Sequence, residues 1–386
     1  MSSGNHYDVI VVGGGIAGVS VAYELSKDSR VLLFEAETQL GYHSTGRSAA
    51  VYIPSYGHEK PALFELTRSS YEILSGTAGI AGWQGFLYPR DLLRITDDCH
   101  IEQLRDDYEA LRLRLSHIDW IDKSAIHKTV PLLRNKYSSA GILEPNVFDI
   151  DVSALQDAYL RAFKVNGGQI QCNSPVQKLR RNSGIWKIRG DGRDYSAPVV
   201  VNACGAWADE LATLAGVKTQ MLKPLRRTAI LVQIDTPSLS DWPVVMDAVQ
   251  GCYFKPDAGL LLASPGDETL SPACDSAPEE IDKAYAAHYL EERFDVKVRE
   301  IRSAWSGLRT FSPDRSPVIG FSEHSEGFFW LAGQGGHGIQ TAPAASQLAA
   351  RMINSGDIPE ALVQAGFDPL WVKPDRFEAT KDTADA

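Results

Sequence analysis

Three glycines spaced Gly13-x-Gly15-x-x-Gly18, followed by Glu35, carry the strongest chemical signal in this 386-residue chain. A phosphate group needs close approach of the backbone and free N–H donors, and each glycine has its own mechanical reason to be there. Gly13 permits a tight turn, Gly15 lets the backbone come up to a pyrophosphate, and Gly18 lets the next helix pack closely on a sheet. Ile16 and Ala17 then stand at the positive end of a helix dipole, which favours phosphate. Glu35, with Ala36 beside it, is placed to accept hydrogen bonds from a ribose diol. The pattern points to a dinucleotide, and two further segments favour FAD over NAD. Gly41-Tyr42-His43-Ser44-Thr45-Gly46-Arg47-Ser48-Ala49-Ala50 is rich in hydroxyl donors and small residues and would form a second wall for the cofactor. Gly333-Gln334-Gly335-Gly336-His337-Gly338-Ile339-Gln340-Thr341 precedes a helical run. A helix amino end there would stabilise negative charge developing on a ring that accepts a hydride.

The elements that must hold these segments follow from periodicity. Residues 7–12 are a β-branched run that ends in the glycines, and Gly18, Val21, Ala22 and Leu25 then make one apolar helix face. Residues 30–34 give a second strand, so the chain opens as a βαβ unit with parallel strands. Residues 198–203 and 328–332 are short continuous apolar runs, as in strands buried on both faces, and are expected in the same sheet. The fold class expected is α/β, a Rossmann-like FAD-binding domain plus an α+β substrate domain with an antiparallel sheet. The expected division puts 1–56, 146–222 and 307–372 in the first domain and 57–145 and 223–306 in the second. Residues 373–386 read as a frayed polar tail.

Bulk properties narrow the setting. With 38 basic and 49 acidic residues the formal charge is −11, and no basic patch stands out, which argues against nucleic acid as a partner. The five cysteines are scattered, odd in number and free of C-x-x-C spacing, so they read as reduced thiols, neither a disulfide framework nor a metal site. The polar first six residues leave no room for a secretory signal, and no apolar run reaches the roughly 18 residues of a membrane span. A cytoplasmic protein is expected.

Several long motifs carry a family resemblance. V-I-V-V-G-G-G-I-A-G, G-Y-H-S-T-G-R-S-A-A, N-A-C-G-A-W-A-D from Asn202, W-S-G-L-R-T-F from Trp305 and G-Q-G-G-H-G-I-Q-T together resemble the D-amino-acid oxidase family of FAD amine oxidoreductases, most of all its bacterial D-arginine dehydrogenase branch. The resemblance implies a glutathione-reductase-like FAD domain and an antiparallel sheet roofing the flavin. It places Gly13, Gly15 and Gly18 on the pyrophosphate, Glu35 on the adenosine ribose, and Ser44 to Ala50 along the isoalloxazine and phosphates. It also brings Val176 to the adenine, Gly205 and Trp207 to the cofactor, and Gly335, Gly338, Ile339 and Gln340 to the pyrimidine end. Tyr56, Arg226, Tyr253 and Arg309 match the substrate-carboxylate set, and the Gly336 carbonyl matches the acceptor for the substrate amine. Gly307 stands where covalently flavinylated relatives carry a cysteine, so the resemblance implies dissociable FAD. The arginine branch has a histidine and a threonine where this chain has Val51 and Ile53. Its guanidinium-holding glutamate aligns with either Asp91 or Leu92.

The chemistry implied is oxidative deamination of a D-amino acid. The carboxylate is held, and Cα–H is aimed at flavin N5 from about 3–3.5 Å for hydride transfer. The imino acid formed hydrolyses to a keto acid. Arg309 suits the first task because a guanidinium fork meets a carboxylate with two parallel hydrogen bonds, and its apolar neighbours suggest a buried strand. Arg226 and Arg227 are adjacent, so on a strand only one can face the pocket, and the resemblance selects Arg226. His337 is open to two readings, a proton acceptor or a ring walling the pocket. Val51 and Ile53 favour neutral or apolar side chains over arginine. Glycine or sarcosine oxidation and 2-hydroxy-acid oxidation are the alternatives, and the electron acceptor, O₂ or a quinone, is left open.

Overall fold

A computed structural model describes residues 5–80, 82–234, 236 and 239–377. β1 (Val9–Val12) is buried throughout, α1 (Ile16–Leu25) follows the glycines, and β2 (Val31–Phe34) pairs parallel to β1. Among the described residues β1 lies inside a six-stranded sheet. Its order is Val318–Phe321, Phe328–Ala332, Val199–Asn202, β1, β2, Gln169–Gln171. Neighbours run parallel except for the pair Val318–Phe321 and Phe328–Ala332.

Why both strands are apolar at every position is plain from what covers each face. Val9, Val11, Val31 and Leu33 point into a core shared with α1 and the helices Val152–Val165 and Gly338–Asn354. Ile10, Val12, Leu32 and Phe34 point the other way, onto Leu179, Trp186, Ile188 and Tyr195 of a three-stranded antiparallel sheet. Side chains alternate along a strand, so a sheet covered twice needs no polar position.

Among the described residues a nine-stranded sheet forms the second layer system. It runs Thr269–Leu270, Lys223–Val232, Leu260–Ser264, Tyr253–Asp257, Val244–Asp247, Leu92–Thr96, Ala140–Glu144, Asp119–Asp122, with Ile301–Phe311 along Lys223–Val232. Pairing is antiparallel save between Val244–Asp247 and Leu92–Thr96. One face packs under the helix Glu280–Arg293, where Ile230, Val232, Phe254 and Leu261 meet Ala286, Leu290 and Phe294. Side chains of the opposite face line a cavity.

Three segments lie elsewhere than expected. The helix Pro61–Ser75 buries Ala62, Leu66, Ile73 and Leu74 in the core of β1 and α1, because its apolar stripe docks on Gly338–Asn354. Hydrogen bonds from Gln340 to Thr67 (2.9 Å) and from the Ala344 N–H to Ser70 (3.1 Å) fix that contact. Ile301–Phe311 continues as one strand past residue 307, so 307–311 belong to the large sheet. Residues 373–377 are docked rather than frayed: the Gln220 side chain and Asp375 exchange two 2.9 Å hydrogen bonds, and Arg376 pairs with Asp314. Residues 378–386 lie outside the described residues.

Candidate active site

A cavity of about 640 Å³ extends from the carboxyl ends of β1 and β2 to the open face of the large sheet. At its first end the backbone is crowded enough that only glycine fits. Gly13 has φ +107, and a Cβ there would fall 2.4 Å from the Ala203 carbonyl oxygen. A Cβ on Gly18 would fall 1.7 Å from the Gly13 oxygen, so α1 crosses the turn at a distance no side chain allows. Gly15, Ile16 and Ala17 line the cavity where α1 begins, and Thr45 from the neighbouring loop accepts the Ile16 N–H at 3.0 Å. Glu35 is held at the end of β2 by the N–H groups of Gly14 (2.7 Å) and Glu37 (2.8 Å). Ala36, Val176, Gly205 and Trp207 complete this end. A glycine cradle at a helix amino end, with an acid fixed one strand away, fits the pyrophosphate and ribose of a dinucleotide.

The second wall is the 41–50 loop, closed on itself by the Gly46 N–H to Gly41 carbonyl bond at 2.7 Å. Ser44, Thr45, Arg47, Ser48, Ala49 and Ala50 line the cavity, whereas Gly18 and Gly46 shape it from behind. The Arg47 guanidinium is committed to protein groups: the carbonyls of Ser276 (2.7 Å) and Ser306 (3.2 Å) and the carboxylate of Asp275. It therefore ties the loop to the large sheet while still lining the cavity. Opposite, Gly335 (φ +55) lies so close to Phe311 that a Cβ would come within 2.2 Å of the ring. Gly338, Ile339 and Gln340 open the helix Gly338–Asn354 against the cavity. The Gln340 side chain turns into the protein, accepting the Ile53 N–H at 3.2 Å and donating to Thr67.

Arg309, Tyr253, Tyr56, Gly336, His337 and Arg227 converge at the far end. Among the described residues Arg309 has no carboxylate within ion-pair distance, and its Nη2 meets the Tyr253 hydroxyl at 3.5 Å. Gly336 lies against the guanidinium, since a Cβ there would stand 3.0 Å from Nη1. Burial pushes the Tyr253 phenol up, but the charges of Arg309 and Arg227 outweigh it and hold the phenol below its ordinary value. Burial and the Arg309 charge push His337 down to about 3. Its ring, edge-on to Tyr56 with centroids 4.4 Å apart, is thus neutral and too weak a base to take a proton near neutral pH.

Arg226 is corrected to Arg227. Ile230 and Val232 face the helix-covered core, so strand alternation sends Arg226 and Thr228 to that side and Arg227 and Ala229 to the cavity. Arg226 is spent on Asp282 (2.9 Å) and Glu279 (2.5 Å). Arg227 donates to the Asp267 carbonyl at 2.7 Å and lies 3.3 Å from Glu268, which Arg315 also holds at 2.8 Å. We expect Arg227→Ala to raise the KM of a carboxylate substrate by about tenfold or more. Arg226→Ala should leave KM within about twofold but lower the melting temperature, because buried Asp282 loses its partner. Steady-state kinetics and thermal melts on the two variants check this.

Neither Asp91 nor Leu92 reaches the cavity. Leu92 is fully buried with Ile53, Val147 and Val244, behind a wall made by Val51, Ile53, Val244 and Met246. Asp91 is a turn residue at φ +62, engaged through its carbonyl by the Val244 N–H at 3.1 Å. Val244 and Met246 were not expected; both point the same way from one strand, a period-two signal hidden in a four-residue run. Among the described residues no cluster of His, Cys, Asp and Glu could hold a metal ion, and no helix is long and apolar enough to cross a membrane.

A sheet-and-helix cradle for a dinucleotide, opening directly onto two arginines and a tyrosine of a second sheet, defines a flavin-dependent oxidoreductase. The chain matches the family of FAD dependent oxidoreductases, DAO, over residues 8–352, and it belongs to that family. FAD is its cofactor. Glycine oxidase of Bacillus licheniformis is 24% identical over 373 residues, covering 93% of this chain and 96% of that protein. Mitochondrial dimethylglycine dehydrogenase of Mus musculus is 23% identical, with 96% of this chain matching 44% of that one. The crystal structure of glycine oxidase from Geobacillus kaustophilus superposes with a TM-score of 0.82 at 22% identity, covering 96% and 99% of the two chains. L-proline dehydrogenase from P. horikoshii gives the same score and identity over 97% and 98%. These likenesses establish the fold.

Proposed function

We propose that this enzyme oxidises the Cα–N bond of D-amino acids with neutral or apolar side chains, giving an imino acid that hydrolyses to a 2-keto acid. The observation that carries the reading is Arg309, a guanidinium in the cavity with no carboxylate among the described residues within ion-pair distance. A half-buried cation answered only by a long contact to a phenol is poorly satisfied, and a bound carboxylate completes it through two parallel hydrogen bonds. Arg227 adds positive potential, while the phenols of Tyr56 and Tyr253 can donate to the same anion. The Gly336 carbonyl, beside the guanidinium, is available to the amine of the same molecule. Beyond lie Val51, Ile53, Val244 and Met246, which offer a side chain contact without hydrogen bonds. Glu268 also borders the cavity, but Arg227 and Arg315 already neutralise it, so a guanidinium or ammonium side chain finds no free acid there. FAD, when bound, supplies the hydride acceptor. Gly307 has no sulfur for a tether, and the cofactor is held non-covalently.

A second reading, oxidation of glycine or an N-methyl glycine, is favoured by the relatives that act on glycine and dimethylglycine. Anaerobic mixing of the FAD-loaded protein with each candidate, followed by visible absorbance, separates the two. D-leucine, D-methionine and D-phenylalanine should bleach the flavin at least about tenfold faster than D-arginine, the discrimination an apolar pocket can give. Faster bleaching by sarcosine or glycine than by any of these would install the second reading. Bleaching by D-arginine alone would refute the apolar pocket.

A further inference from the structure

We propose that Glu144, with Arg94 and Ser55, is a positioning residue that fixes Tyr56 in the carboxylate pocket; this rests on the amino-acid reading above. Tyr56 sits in a short turn between the strand Val51–Tyr52 and the helix Pro61–Ser75, and such a turn has no sheet ladder to hold it. What holds it is a buried polar knot one residue away. Glu144 is 1% exposed and Ser55 also 1%. One carboxylate oxygen accepts the Ser55 N–H at 2.9 Å, and the other accepts the Ser55 hydroxyl at 2.6 Å and Arg94 Nη1 at 2.8 Å. Arg94 Nη2 in turn donates to the Ser55 hydroxyl.

The knot is specific in direction. Glu144 and Arg94 stand on adjoining strands of the large sheet, Ala140–Glu144 and Leu92–Thr96, whereas Ser55 comes from the turn. A buried ion pair is poor value as a fastener of two strands, since apolar residues of similar volume hold as well or better. Two hydrogen bonds to a single residue's N–H and hydroxyl instead fix that residue's backbone. Tyr56 follows directly, and its own N–H closes on the Ile53 carbonyl at 3.0 Å. The turn is thereby tied to the sheet at Ser55, and at Ile53 to Gln340 of the helix that follows His337. Tyr56 is left edge-on to His337 in the cavity it shares with Arg309. Groups that bind an anion gain from being held in place before it arrives.

The test is a double-mutant cycle on the FAD-loaded protein, with isobutyrate as a carboxylate probe that lacks an amine and is read by its perturbation of the flavin spectrum. Glu144→Gln keeps the shape and removes the charge, and Tyr56→Phe removes the phenol. We expect E144Q to weaken isobutyrate binding roughly five- to tenfold in the parent and by less than about twofold in the Y56F background, the non-additivity of coupled groups. Ser55→Ala, which deletes one hydroxyl and leaves the ion pair, should give the same pattern more mildly and serves if E144Q folds poorly. Unchanged binding in S55A and E144Q, or equal losses in both backgrounds, overturns the proposal. Undiminished isobutyrate binding in Arg309→Ala would instead remove the carboxylate pocket itself, a separate failure.

Discussion

Arg309→Ala is expected to purify with its full complement of FAD and to lose about a thousandfold in kcat/KM for its amino acid, roughly 4 kcal/mol of transition-state binding. The size follows from what is removed. Truncating one side of a buried, charge-assisted pair loses the two hydrogen bonds and leaves the substrate carboxylate desolvated opposite neutral atoms. Arg227, held by Asp267 and Glu268, cannot swing in to replace it. Arg309→Lys should recover only part of the loss, because an ammonium cannot offer a planar fork. FAD retention should not change, since the glycine turn and Glu35 lie at the other end of the cavity. Turnover within a few-fold of the parent would show that the carboxylate is bound elsewhere.

Gly18→Ala should strike the opposite end and spare nothing. Its Cβ would have to occupy a point 1.7 Å from the Gly13 carbonyl oxygen, a backbone atom in a turn that cannot retreat without moving β1 or α1. Overpacking of this severity costs about 3 kcal/mol or more and displaces the turn proposed to cradle the pyrophosphate. The variant is expected to emerge colourless or with sharply reduced flavin, and to melt well below the parent even with excess FAD. Visible absorbance per protein and a thermal melt suffice. A yellow protein of parental stability would show that the turn does not have the tight geometry described.

The dinucleotide end was legible in the sequence because its constraints are local. A glycine turn, the helix after it and an acid at the next strand end lie within 23 residues from Gly13 to Glu35, and the Gly18–Gly13 approach and the Glu35–Gly14 hydrogen bond both fall inside that stretch. The continuous apolar runs at 198–203 and 328–332 likewise announced strands of a sheet covered on both faces. The substrate end was less legible because it is assembled from strands whose facing depends on register. Arg226 and Arg227 differ only in which side of Lys223–Val232 they leave, and the deciding fact is the core at Ile230 and Val232. Alternation alone could not decide it, because Leu225, Ala229 and Leu231 at odd positions balance Ile230 and Val232 at even ones. Arg47 shows a different limit. Its place in a phosphate-side loop says nothing of Asp275, which lies 228 residues along the chain and takes its charge. Val244 and Met246 carry no motif at all; they matter only because Leu92 and Val147 pack behind them.

The most direct test of the account is a crystal structure of the FAD-loaded protein with a small carboxylate such as isobutyrate bound. The pyrophosphate should lie on the Gly13–Gly18 turn, and the carboxylate should sit on the Arg309 fork with its aliphatic end toward Val51, Ile53, Val244 and Met246. A ligand carboxylate bound away from Arg309, or an Arg309 turned to a protein acid with the pocket empty, would contradict it.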